Sequence, residues 1–102
     1  MNKYSSDAVM ILRVLKSKFY NDINNIKIRI EVPGIWTPEM SLEEAIAYCK
    51  SNECDKIHMM YKVEGFGTLN KVFDCVNPEV LIDIDRLKET LNHVMNVYYG
   101  GR

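Results

Sequence analysis

Ile26-Lys27-Ile28-Arg29-Ile30-Glu31-Val32 runs straight into Pro33-Gly34, then Ile35-Trp36-Thr37-Pro38, then Ser41-Leu42-Glu43-Glu44. The first seven residues alternate apolar with charged side chains. Successive strand residues point to opposite faces, so this is the pattern of a half-buried strand. Pro33-Gly34 stops it, and Ser41-x-x-Glu44 has the form of a capping box opening a helix. The change from period two to helical spacing across the only tryptophan declares an α+β domain with an aromatic loop.

Upstream, Ala8, Ile11, Leu12, Leu15 and Phe19 make one apolar stripe at helical spacing, with Ser5 or Ser6 as its expected cap and Asp7 at the positive end. The second helix is expected from Ser41, or from Thr37 with Pro38 in its first turn, burying Leu42, Ala45, Ile46 and Cys49. Ile57, Met59, Tyr61 and Val63 then alternate with His58, Met60 and Lys62, a second strand whose outer side is unusually apolar. The helix-containing link between these two strands is long enough for a parallel crossover. Gly65-Phe66-Gly67 then breaks the chain before Thr68–Val76, where Leu69, Val72, Phe73 and Val76 have helical spacing with Thr68 as a cap, while the short length, the Val and Phe content and the glycine turn favour a third strand. Asp83 or Asp85 is the expected cap of a last helix with the seam Leu87, Leu91, Val94, Tyr98, extended by Val80 and Ile84 if the helix reaches back to Pro78. The predicted fold is a small two-layer α+β sandwich of order α-β-α-β-β-α, with helices packed on one side of a three-stranded sheet. A single domain over 1–102 is expected, with 100–102 as a flexible tail.

A hydrophobic content of 47% in 102 residues suffices for one core. No run approaches the ~18 apolar residues of a membrane span, and Arg13 cuts the N-terminal apolar stretch too short for a signal-peptide core. A cytoplasmic location follows as the expectation, with Cys49, Cys54 and Cys75 as reduced thiols. A net charge of −1 argues against a nucleic-acid binder. That charge is polarised: six cations stand against three carboxylates through Val32, and the excess is acidic thereafter.

Chemistry-bearing motifs are sparse. Cys49-x4-Cys54-x3-His58, with Cys75 as a fourth ligand, lacks the close C-x2-C knuckle of structural zinc sites, so no metal is expected. No nucleophile elbow, zinc-protease helix or phosphate loop occurs. Asp83 and Asp85 read as helix caps before they read as acid and base. Neither a catalytic residue nor a cofactor is assigned, and an enzyme is not the favoured reading.

Trp36 remains, a large apolar group with one donor in a loop stiffened by prolines. It reads either as a lid on the core or as the anchor of a binding surface with Ile35 and Met60. The outer side of the second strand, His58, Met60 and Lys62, is too apolar to stand in water and should be covered by a helix or a second copy. Lys27 and Arg29 point the same way and are expected to converge with Arg13 or Lys16 on an anion. The expected function is therefore a non-catalytic interaction module with a protein partner, a second copy of the chain being one candidate. Glutamine is absent and Ile, Asn, Lys, Tyr and Met are frequent, as in AT-rich genomes, which suggests a phage or mobile-element accessory protein that modulates a host macromolecule. The alternative is a protein that binds or sequesters an anionic nucleotide.

Overall fold

A computed structural model describes the backbone of residues 3–98 and the side chains of residues 7–97. Helix α1 covers Lys3–Lys18 and runs through a 3-10 stretch, Tyr20–Asn25, into strand β1, Ile26–Val32. A short strand β2, Ile35–Trp36, precedes helix α2, Leu42–Ser51. Strands β3, Lys56–Val63, and β4, Gly67–Asp74, then lead to helix α3, Val80–Tyr98. The result is a small α+β domain.

The sheet has four strands in the order β2-β1-β3-β4, all antiparallel, where three were expected. Pro33-Gly34 is the cause. Proline sets the first corner of a tight turn and Gly34, at φ +85°, takes the positive-φ second corner, so the chain reverses instead of ending the strand. Val32 pairs with Ile35 and Glu31 with Trp36. The returning chain then stays beside β1: Thr37 N–H donates to Ile30 O, and Ile28 and Met40 exchange both backbone hydrogen bonds at 2.8 Å.

This reversal also removes the expected parallel crossover. Met40 has brought the chain back beside the early part of β1, so α2 recrosses the sheet and delivers Lys56 opposite Glu31, near the far end of β1. Strand β3 therefore runs antiparallel to β1. The Ser41 capping box is complete: Glu44 N–H donates to Ser41 Oγ at 3.1 Å and Ser41 N–H donates to Glu44 Oε1 at 2.9 Å. Thr37 and Pro38 stay outside the helix.

The other two helices begin earlier than their expected caps. Helix α1 already includes Lys3, the first described residue, which leaves Ser5 and Ser6 inside it. Helix α3 starts at Val80, and Asn77 supplies the polar start: its Oδ1 accepts from Glu79 N–H at 3.0 Å, and its amide donates to Asp83 Oδ2. Asp83 and Asp85 are thus helical residues, and the longer seam with Val80 and Ile84 is the one formed. The tail at 100–102 lies outside the described residues, as does the Tyr98 side chain.

The helices lie on one side of the sheet. Ile26, Ile28 and Ile30 of β1, Ile57, Met59, Tyr61 and Val63 of β3, and Phe73 of β4 are buried with the α1 stripe from Ala8 to Phe19 and with Leu42, Ala45, Ile46 and Cys49 of α2. Each fully buried aliphatic side chain contributes about 1.5–3 kcal/mol, so this layer carries the fold. Tyr61 meets Phe19 edge-to-face at 6.0 Å, and burial followed by a hydrogen bond to Asp22 pushes its hydroxyl up to about 12. Lys16 pairs with Glu43, and Lys18 with Asp85 at 2.8 Å, tying α1 to both other helices.

Candidate functional site

Among the described residues no helix lies on the opposite face of the sheet. Strand parity and register set its rows: Trp36, Glu31, Lys56 and Asp74 at one end, then Arg29, His58 and Val72, then Lys27, Met60 and Asn70, then Lys62 and Thr68. His58 and Met60 are half-buried and Lys62 is exposed, covered by no element among the described residues. The expectation of a covering helix is therefore not met among the described residues. The three helices are all used on the other side, where the longer apolar rows are.

Trp36 sits on this open face, half-buried, and is not a core lid. Its place follows from β2, since pairing with Glu31 turns the indole to the side that carries the charged residues of β1. Two groups hold it. The Arg29 guanidinium carbon lies 5.9 Å from the ring centroid, and the His58 ring meets it edge-on at 6.0 Å and 75°. Arg29 is fixed in turn, because its Nε donates to Thr37 O at 3.2 Å, while His58 Nε2 donates to Asn70 Oδ1 at 3.0 Å. Ile35, on the other parity of β2, hangs off the sheet edge and is 66% exposed.

Thr37 is the hinge of this arrangement. Its carbonyl is engaged by Arg29, so the Ile30 N–H finds the Thr37 hydroxyl instead, at 2.9 Å, and that hydroxyl donates onward to Pro38 O. A buried N–H without a partner would cost roughly 1–3 kcal/mol. The side chain thus replaces a missing rung of the ladder and seals this edge of the sheet.

Charge on the open face is sorted. The three rows from Arg29 to Lys62 hold Lys27, Arg29, Lys62 and His58 and no carboxylate, while Glu31 and Asp74 are confined to the end row. Lys27 and Lys62 border two depressions of about 190 and 270 Å³, lined also by Glu39, Met60 and Thr68 or by Asn24 and Glu64, so a carboxylate from outside the strand rows reaches each. Pockets that enclose a small molecule are larger, roughly 300–1,000 Å³. Arg13 and Lys16 do not join these cations. They stand on α1, on the far side of the sheet, with Lys16 engaged by Glu43.

The thiols also lie away from this face. Cys49, Cys54 and Cys75 are buried in the helix-covered core, and the Cys49 and Cys54 sulfurs share a hydrogen bond at 2.6 Å. That shared proton holds Cys49 above its ordinary range and Cys54 below it, and burial pushes Cys75 up to about 12. His58 points to the opposite face, so it is no ligand partner for them. Among the described residues no cluster of His, Cys, Asp or Glu could hold a metal ion, and no helix is long and apolar enough to cross a membrane.

Sequence reading singled out Trp36, Ile35, Met60, Lys27 and Arg29, which the structure gathers on or beside one face. It missed Thr37, Asn70 and Val72. The Thr68/Asn70/Val72 alternation was the available signal for two of them; the role of Thr37 depends on the β2 turn and has no local signature. No family model matches this chain, and neither a curated protein nor a solved structure matches it.

Proposed function

We propose that this protein is a non-catalytic interaction module that engages a protein partner through the open face of its sheet, with Trp36 as anchor. The observation that carries the reading is the held indole: a tryptophan standing on a face uncovered among the described residues, positioned by Arg29 and His58, with Met60 and Val72 farther along the same face. Large aromatic and arginine side chains dominate binding energy when desolvated, and an anchor already fixed loses little entropy on binding. Ile35 extends the apolar surface around the sheet edge. A second copy of the chain is one occupant of this face, and a host macromolecule whose activity is thereby modulated is another.

The anionic-ligand reading keeps one supporting observation, the cations Lys27, Arg29 and Lys62 on one face, against which Glu39 and Glu64 line the depressions beside the two lysines. The shallow depressions beside these lysines favour surface contact over enclosure of a nucleotide.

Affinity capture with the tagged full chain tests the main reading. A partner retained by the parent should bind Trp36→Ala and Met60→Asp about thirtyfold more weakly or worse, roughly 2 kcal/mol, while both variants keep the parent's circular dichroism. Sedimentation separates self-association from a foreign partner. Undiminished capture by both variants removes this face from the interaction.

A further inference from the structure

The two edges of the sheet are finished differently. On the β1 side, Trp36 to Met40 follow the strand, Pro38 offers no donor, and the Thr37 hydroxyl takes the Ile30 N–H. On the β4 side, no strand lies beyond Gly67–Asp74 among the described residues. Parity shows which groups are left over. Ile28 gives both its backbone groups to Met40, so Lys27 and Arg29 turn theirs to Met60 and His58 of β3. Ile57, Met59 and Tyr61 must then serve Phe73, Lys71 and Leu69 of β4. The N–H and C=O groups of Asn70 and Val72, and the N–H of Thr68, therefore point outward. All three residues are exposed, and among the described residues only Thr68 O has an intramolecular donor, the Asn70 amide at 3.5 Å.

Beneath this edge, α3 stands off β4 and leaves a groove of about 250 Å³ lined by Lys71, Asp83, Arg86, Leu87 and Thr90. Its charges do not cancel. Asp83 is shared between Arg86, at 3.8 Å, and the Asn77 amide, whereas Lys71 has no carboxylate partner among the described residues. An added strand would send alternate side chains into this groove and the others onto the open face beside Val72, which is 48% exposed.

We infer that β4 is a docking edge for an extended acidic segment of a partner protein, which adds as a fifth strand and places a carboxylate against Lys71 and Arg86. The recognition is β-augmentation: backbone hydrogen bonds supply the attachment and alternate side chains the choice of sequence. Charge selects the occupant. In every twofold register that pairs most of β4 with itself, centred on Asn70, Lys71 or Val72, the two copies of Lys71 come within two positions of each other on one face. A lysine so placed guards an edge against its own kind and favours an opposite charge. A polynucleotide offers no backbone donors for the Asn70 and Val72 carbonyls. This inference stands on the edge and is independent of the Trp36 reading.

Amide exchange of the full chain tests it, with two synthetic peptides as long as β4, one alternating valine with glutamate and the other valine with lysine. Asn70 and Val72 amides should exchange freely in the protein alone. They should slow about tenfold when the glutamate peptide is present at tenfold its dissociation constant, and less with the lysine peptide. Lys71→Glu should invert that preference and Lys71→Gln erase it, while Trp36→Ala should leave it unchanged. Equal protection by both peptides, or protection by neither at millimolar concentration, overturns the inference. So does protection that rises with protein concentration alone, which would make a second copy the occupant, or an equal response to an oligothymidylate.

Discussion

Phe73 and Val72 are neighbours in β4, yet Phe73 is 1% exposed beneath the helices while Val72 is 48% exposed on the other face. The same contrast runs through β3, where Met59 is buried and Met60 is not fully covered. What separates the two faces is not composition alone, since methionine and valine occur on both. The number of apolar neighbours in each row decides: the helix-covered rows combine three strands with the stripes of α1, α2 and α3, whereas the open rows alternate His58, Met60 and Val72 with lysines and an arginine. Stability resides on one side of the sheet, which leaves the other side free to be chosen for contact.

Substitution in β4 gives the widest separation of the faces. Phe73→Ala should cost about 3–5 kcal/mol in a denaturant melt, and Val72→Ala, one residue away, within about 0.5 kcal/mol. Comparable losses would mean the open face is covered in solution. Thr37→Val comes next. It keeps the shape but removes the acceptor of the Ile30 N–H, for an expected loss of about 1–3 kcal/mol that Thr37→Ser should largely restore.

Ser41→Ala, which breaks the capping box of α2, should cost about 1 kcal/mol and act only on the covered layer, leaving amide shifts around Trp36 and His58 in place. The smallest effect is that of pH. Ser41's backbone N–H and then its hydroxyl hold the Glu44 carboxyl below its ordinary 4.5, and Lys16 does the same for Glu43. A carboxyl lowered on folding adds stability above its unfolded value and loses it as pH falls through the folded one. Melting temperature should therefore decline below about pH 4.5, and Glu44→Gln should narrow its gap to the parent over the same interval. A gap that widens towards acid would refute the assigned sign.

Much of the covered face was legible from periodicity. The α1 stripe, the alternation of β1 and β3, the third strand and the Ser41 box each depend on residues close together in sequence, where side-chain direction follows from spacing. The reversal at Pro33-Gly34 was not read as a hairpin, because β2 pairs for only two residues and gives no alternation of its own. That one turn governs much else. It brings Trp36 to the open face, replaces a parallel crossover by an antiparallel seam, and assigns the Thr37 hydroxyl to Ile30. Arg13 and Lys16 were grouped with Lys27 and Arg29 for a similar reason: Lys27 and Arg29 share a face by parity, but whether a helix lies on that face or the opposite one is decided by tertiary packing. The mutual contact of Cys49 and Cys54 depends on how the chain leaves α2 and was not visible in their spacing.

The antiparallel seam has a kinetic consequence. The β1–β2 turn and the β3–β4 turn each join strands adjacent in sequence, so either hairpin can close within a short stretch of chain. Joining β1 to β3 is different, since Glu31 must find Lys56 and Ile26 must find Tyr61 across the whole of α2. Loop-closure entropy rises with the logarithm of that separation and must be met before the contacts repay it. The capped α2 shortens the search by holding the intervening chain in a rod. The β1–β3 seam should therefore carry more of the folding barrier than either hairpin: a side chain lost there is expected to slow refolding, and one lost from the outer part of β4 to show up mainly as faster unfolding.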